Sequence, residues 1–521
     1  MKRYDLIVVG AGPAGLSAAI EAANSGMKVV VYDENQRPGG QLFKQIHKFF
    51  GSEEHKAKVR GFNIGKQLLE ESKEAGVEVH LNAQVSGIHD NKVVSIVENE
   101  EIKFVKAGNI IIATGASENM IPFDGWTLPG VIGAGAAQTM VNLHRVLPGK
   151  RVLMVGSGNV GLVVSYQLLQ AGIEVAAIID AAPQIGGYGV HAAKITRTGV
   201  PVYLSHTIVK AVGDDKAEKA IISKVDESFH PIAGTEKEIE VDTICVAVGL
   251  TPMSKLAQMA GCKMIDRGGF VPECDNCGET SIPGIFTAGD ASGIEEASSA
   301  MIEGRIAGAA VCKRDGYITE EEFEEKTAVF NHSLQQLRQG LFCIENRRKK
   351  ITETEEGILL SQSLLTRGYL EDEEVMKFPG VVKKKGWHPV IECTQNIPCN
   401  PCQTACRFHC IKVGEKITSL PVVDMESECK NCGLCVASCS GQAIFLVNED
   451  YDDTSAAITL PYEFLPLPVV GEQGKAMGRS GAYVCDAQVL EVRKAASFDH
   501  TNLLTIKVPK EMAMRARFYR R

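Results

Sequence analysis

Short apolar runs alternate with small-residue and amphipathic stretches through the first three hundred residues. Residues 5–9 are apolar and predict a buried strand, which runs into the glycine turn GAGPAG. The stretch LSAAIEAANSG predicts a closely packed helix, and KVVVYDE predicts the next strand. The same order returns in KRVLMVGSGNVGLVVSYQLLQAGIEVAAIID. Repeated strand–turn–helix–strand units predict an α/β fold with parallel sheets. Beyond residue 330, FNHSLQQLRQGLFCIENRRKK and TEEGILLSQSLLTRGYLED read as helical or mixed, and EDEEVMKFPGVVKKKG as a connector. The last seventy residues alternate apolar and polar positions between turn signals, which predicts a small β module for packing or subunit docking.

The glycine turns carry the first candidate chemistry. Gly10 permits the tight turn, Gly12 lets a pyrophosphate approach the backbone, and Gly15 lets helix and strand pack closely. Asp33 or Glu34, ending the second strand, is placed to accept hydrogen bonds from a ribose. In the second copy these roles fall to Gly156, Gly158, Gly161 and Asp180. The acid at Asp180, with no arginine nearby for a 2′-phosphate, favours NAD(H) over NADP(H); an adenine nucleotide held without hydride transfer is the alternative.

Nine of the sixteen cysteines fall between Cys393 and Cys439, and CKNCGLCVASC places Cys429, Cys432, Cys435 and Cys439 at iron–sulfur spacing. Disulfides or a zinc knuckle compete with that reading, but zinc sites rarely use four cysteines so closely spaced in one run. The module expected over 389–449 has the form of a two-cluster ferredoxin. Cys429, Cys432 and Cys435, completed by Cys406, would hold one [4Fe-4S] cluster, and Cys399, Cys402 and Cys439 three corners of another. Asn396 stands where the fourth cysteine is expected, leaving Cys393 or Cys410 to supply it. A single cluster on the second motif is the alternative. Arg407 and Ser440 replace the prolines that usually follow such motifs.

With 521 residues, 45% hydrophobic, the chain has room for three or four domains. A net charge of −9 argues against a nucleic-acid partner, although RARFYRR forms a small basic tail. The start shows no signal-peptide pattern and no apolar stretch is long enough to span a bilayer, so a soluble, cytoplasmic chain with reduced thiols is expected.

GAGPAG, the GG turn at Gly39 and Gly40, IIIATGA at 110–116, the second glycine unit, VAVGLTP at 246–252 and TSIPGIFTAGD ending at Asp290 resemble, in this order, the two-dinucleotide flavoproteins of glutathione-reductase type. The resemblance implies FAD against Gly10, Gly12, Pro13, Ala14, Gly15, Gly40, Gln41, Thr114, Gly115, Gly289 and Asp290, with a pyridine nucleotide on the inserted unit. It also implies a discontinuous FAD domain (1–118 and 248–330) and an inserted NAD(P)-binding-like domain (119–247); beyond them the chain's own pattern gives a helical or connector segment (331–388), the ferredoxin-like module (389–449) and the β module (450–521). GAGAAQT at 133–139 occupies the place of the thioredoxin-reductase cysteine pair, which argues against disulfide reduction. Cys274 and Cys277 form a CxxC read as incidental, and Val163 stands where many pyridine-nucleotide reductases carry a glutamate.

RPGGQLFKQIHKFFGS and GDASGIEEASSAMIEGRIAG look like the flavin-binding subunit of heteromeric amine and amino-acid dehydrogenases, the group of hydrogen cyanide synthase, opine oxidases and dye-linked proline or hydroxyproline dehydrogenases. That implies a second flavoprotein subunit of amino-acid-oxidase type that oxidises an amino acid, with this chain passing the electrons to a small-molecule acceptor. Lys44, His47 and Lys48 are then candidates for contacting the cofactor, and no catalytic residue is assigned. Two alternatives remain: an NADH-dependent reductase resembling the small subunit of glutamate synthase, and a non-catalytic nucleotide-binding scaffold.

Overall fold

The computed structural model describes residues 1–339 and 362–521, which divide into two compact units. The expected helical or mixed stretch at 340–361 lies outside the described residues.

The first unit comprises 1–49, 54–118 and 250–338. Its N-terminal part contains β1 (Lys2–Val9), α1 (Pro13–Asn24), β2 (Val29–Tyr32), α2 (Gly61–Glu74), β3 (Glu78–His80), β4 (Ala83–His89), β5 (Val93–Glu98) and β6 (Glu101–Ile112). The sheet order is β3-β2-β1-β6-β5-β4, with strand Ile285–Thr287 added in parallel on β6. β1, β2 and β3 run parallel, and β1 is parallel to β6. A strand covered on both faces must be apolar throughout, and all four residues of β2 are buried. Helix Ala297–Arg314 lies against α1 with alanines and glycines at the contact: a Cβ on Gly304 would stand 2.1 Å from the Ala14 carbonyl oxygen. Helix Glu320–Leu337 then runs past the expected boundary at residue 330 into the stretch read as helical or mixed, and starts on a capping box formed by Thr319 and Glu322.

The second unit comprises 50–53, 119–249 and 339–521. It opens with β7 (Val131–Gly133), β8 (Arg151–Val155), α3 (Asn159–Gln170), β9 (Glu174–Asp180), α4 (Gly189–Thr196), β10 (Val202–Leu204) and β11 (Thr243–Val246). These strands form an all-parallel sheet in the order β10-β9-β8-β11-β7.

The cysteine-rich segment follows as β12 (His388–Ile391), α5 (Pro401–Ala405), β13 (Ile411–Lys412), β14 (Val422–Val423), α6 (Leu434–Ser438) and β15 (Ile444–Asn448). β12 pairs antiparallel with β15, and β13 with β14, in a β-α-β-β-α-β order. The remaining strands are β16 (Ser455–Tyr462), β17 (Gln473–Met477), β18 (Tyr483–Arg493), β19 (Asn502–Pro509) and β20 (Phe518–Arg520). They do not stand apart as the small module expected over 450–521. β15 pairs with β16, giving one seven-stranded sheet, β12-β15-β16-β19-β18-β17-β20. The reason lies in β16, whose eight residues are all buried and need neighbours on both edges. Among the described residues no helix is long and apolar enough to cross a membrane.

Candidate functional site

In the first turn the three glycines serve three purposes. Gly10 sits at φ +104°, and a Cβ there would lie 2.4 Å from the Ala113 carbonyl oxygen. On Gly15 a Cβ would lie 1.9 Å from the Gly10 oxygen. Both are fixed by backbone approaching backbone. At Gly12 a Cβ would meet nothing within 4 Å. That open cradle lies at the N-terminus of α1, where Pro13 occupies the first turn and Ala14 is buried. The backbone N–H groups and dipole of a helix start favour a phosphate there. The GG turn folds back over it: Gly39 N–H donates to the Ala11 carbonyl at 2.6 Å, and Gly40 is held close to Gly12. Gln41 is exposed beside it.

The structure separates the two acids that the sequence leaves open. Asp33 is buried and turned back on its own loop, accepting the Ala11 N–H at 2.6 Å and the Asn35 N–H at 2.8 Å. Glu34 is exposed and forms no hydrogen bond to the described residues, so it is the carboxylate free for a ribose.

The second turn repeats the first. Gly156 has φ +111° with its Cβ position 2.3 Å from the Ala247 oxygen, Gly161 meets the Gly156 oxygen at 2.1 Å, and Gly158 faces open space. Asp180 accepts the Ser157 N–H at 2.7 Å, the Ser157 hydroxyl at 2.5 Å and the Ala182 N–H at 2.9 Å. Register fixes the correspondence: Val9 pairs with Tyr32, as Val155 does with Ile179. Asp180 therefore matches Asp33, and the place of Glu34 is taken by Ala181. The Asp180 carboxylate, expected on a ribose, closes the turn here. A second GG also returns, with Gly187 N–H donating to the Ser157 carbonyl at 3.0 Å. Val163 is buried on α3.

At the crossover the Thr114 hydroxyl donates to the Met253 carbonyl at 2.6 Å, and Gly115 takes φ +73°. On the return, Gly289 lies against Ala14, and its N–H donates to Glu303 at 2.9 Å. Arg338 bridges Glu295 and Glu303 at 2.6 Å each. Burial pushes the Asp290 carboxyl up to about 6, and burial with Glu295 alongside pushes Glu303 to about 7. Lys44 is largely buried, which lowers its pKa, and His47 stacks on Phe49 at 5.5 Å. Lys48 is buried, and its backbone pairs antiparallel with that of Arg60. Cys274 and Cys277 flank a turn organised by Asp275, and burial raises both thiols, which makes poor nucleophiles of them.

The cysteines fall into two sets. Cys393, Cys402 and Cys439 act electrostatically on Cys399, whose pKa burial and these neighbours raise. Cys429, Cys406 and Cys432, and more weakly Cys402 of the first set, act in the same way on Cys435. The sets are related by the fold: α5 carries Cys402 and α6 carries Cys435. The Cys406 sulfur accepts the Cys410 N–H at 3.3 Å, and the Cys439 sulfur accepts the Ala443 N–H at 3.3 Å. Cys393, two residues past β12, joins Cys399, Cys402 and Cys439. Cys410 does not; it lies beside Cys406 and Cys429. Among the described residues no group of three or more His, Cys, Asp or Glu is arranged around a single metal ion. The thiolates of a cubane each bind a different iron, so they stand farther apart than the ligands of one ion.

Residues 4–304 match the family described as pyridine nucleotide-disulphide oxidoreductase. One opine oxidase subunit of Agrobacterium tumefaciens (strain Ach5) is 31% identical over 332 residues, covering 58% of this chain and 64% of that protein. The HcnB subunit of hydrogen cyanide synthase from Pseudomonas aeruginosa is 30% identical over 341 residues, covering 61% and 73%. The chain thus spans less than two thirds of the opine oxidase protein. T. acidophilum thioredoxin reductase has the same fold at TM-score 0.51 and 23% identity, over 60% of this chain and 99% of that one.

Proposed function

This chain belongs to the pyridine nucleotide-disulphide oxidoreductase family, and we propose that it is the FAD-binding, electron-carrying subunit of an amino-acid or amine dehydrogenase complex. The observation that carries the reading is one chain combining an open glycine cradle, a free acid at Glu34 and two groups of thiols, four around Cys399 and five, Cys410 included, around Cys435. Its relatives bear the names of oxidase and synthase subunits, which supports a hetero-oligomer; the partner in this reading is a second flavoprotein.

The first turn fits FAD. Gly12, with the α1 N-terminus, would take the pyrophosphate, Glu34 the adenosine ribose, and Asp290 the ribityl side, with Gly289 clearing the backbone approach. The two cysteine sets fit two [4Fe-4S] clusters, one on Cys393, Cys399, Cys402 and Cys439 and one on Cys406, Cys429, Cys432 and Cys435. FAD accepts a hydride and releases single electrons, which clusters carry one at a time. The second turn, lacking a counterpart of Glu34, would hold an adenine nucleotide or NAD(H) through its phosphates alone.

The test is anaerobic purification of the full chain with and without its co-purifying partner, a count of iron, sulfide and flavin, and separate additions of NADH, proline, hydroxyproline and an opine. Bleaching of the flavin band by one of the amino acids or the opine only with the partner present is the expected result. Bleaching by NADH with this chain alone overturns it in favour of an NADH-dependent reductase.

A further inference from the structure

The two cysteine sets sit in unlike electrostatic surroundings. Next to Cys393 is Glu392, whose carboxylate receives Arg479 through two bonds, at 2.5 and 3.1 Å, and Arg517 at 2.5 Å. All three groups are withdrawn from water, with side-chain exposures of 13%, 7% and 1%. Arg479 also reaches the half-exposed Asp372 at 2.5 Å. On the Cys439 side is Arg197, equally buried. Its guanidinium donates to the Gln442 carbonyl at 2.9 Å and to the Gln442 side-chain oxygen at 3.4 Å. Gln442 N–H in turn donates to the Cys439 carbonyl at 3.1 Å, and Ala443, the next residue, donates to the Cys439 sulfur. Arg197 and Arg517 both stack on Phe445, at 5.4 and 4.9 Å.

Among the described residues no carboxylate lies within ion-pair distance of Arg197; Glu392 and the partly exposed Glu463 act on it only from farther away. One Arg517 nitrogen, Nη2, is buried without a hydrogen-bond partner among the described residues. Arg479 and Arg517 share Glu392, and Arg479 also holds Asp372, whereas Arg197 has no such carboxylate among the described residues. A buried cation without a counter-charge is costly, so an anion is expected beside it. The cations near the other set are differently placed. Arg493 is 21% exposed and lies 3.3 Å from Glu491, although its Nε too is buried without a hydrogen-bond partner among the described residues; Lys430 pairs with Glu428 at 2.7 Å and Lys412 with Asp424 at 2.5 Å. Lys384 is held by two carbonyls, of Met425 and Ser427.

We propose that Arg197 is the counter-charge of the centre on Cys393, Cys399, Cys402 and Cys439, and makes it the higher-potential of the two centres. This rests on the iron–sulfur reading above. A cluster on four thiolates is anionic and gains a further negative charge on reduction, so buried positive charge favours the reduced form. Arg197 acts through this field and through the Gln442 loop, as a positioning residue.

The experiment is a redox titration of the full chain, purified anaerobically, with the cluster signals followed by electron paramagnetic resonance and iron and sulfide counted first. Cys393→Ser is expected to abolish or convert the signal with the higher midpoint, and Cys432→Ser the lower one. Arg197→Gln is expected to lower the higher midpoint by about 59 mV, the equivalent of a tenfold change in the oxidised-to-reduced ratio for one electron, while the other stays in place. Arg197→Lys is expected to recover most of that shift. The inference is overturned if Cys393→Ser removes the lower-potential signal, or if both midpoints move together in Arg197→Gln. Should that variant fail to fold, the two cysteine variants decide the matter alone. Absence of iron and sulfide from the unaltered chain overturns the underlying reading instead.

Discussion

Two glycines two positions apart are expected to fail differently. Gly12 has φ −78°, which any residue adopts, and its Cβ position faces open space, so Gly12→Val should fold within about 0.5 kcal/mol of wild type yet purify without flavin. Gly10→Ala combines positive φ with a backbone clash and should lose about 1–3 kcal/mol or more. Flavin absorbance and the unfolding midpoint of each variant check both expectations. Asp290 makes a pH-dependent prediction. Its folded pKa of about 6 lies above its unfolded value, so the folded state holds the proton more tightly. In flavin-stripped protein, stability contributed by this group is full below about pH 4 and falls as pH rises to about 6, by on the order of 3 kcal/mol. Asp290→Asn should remove that slope in urea unfolding series, and an unchanged slope would refute the assignment. At this scale the glycine turns were legible because their spacing is itself the signal. The choice between Asp33 and Glu34 was not, because it depends on which carboxylate meets the Ala11 N–H across the turn.

Among the elements, the two glycine units agree beyond their sequence motif: the same strand register, the same acid closing the loop, a second GG folding back. The cysteine segment likewise pairs α5 with α6 and places an N–H on the same sulfur of each. Cys393→Ser should cost about half of the bound iron and Cys410→Ser none, as measured by iron content per flavin. Equal losses in the two variants would contradict the grouping. The run CKNCGLCVASC announced its chemistry by spacing, whereas Cys393 stands six residues before Cys399 and comes into position only because β12 pairs with β15. Helix Glu320–Leu337 crosses the expected boundary at 330 because its start lies earlier, at the capping box of Thr319 and Glu322, a T-x-x-E signal already present in the sequence.

For the molecule as a whole, the alternation of strands and helices made both parallel sheets legible, but sheet membership across 449/450 was not, since period-two patterning identifies strands without naming their partners. That shared sheet has a consequence for engineering. A fragment ending near residue 449 would keep every cysteine of the two sets, yet it would part Glu392 from Arg479 and Arg517 and strip β15 of its neighbour β16. The segment is therefore no portable cassette. Grafted onto another flavoprotein it would carry a bare carboxylate next to Cys393 and a raw, sticky sheet edge, and only a transplant that includes the later strands would travel intact.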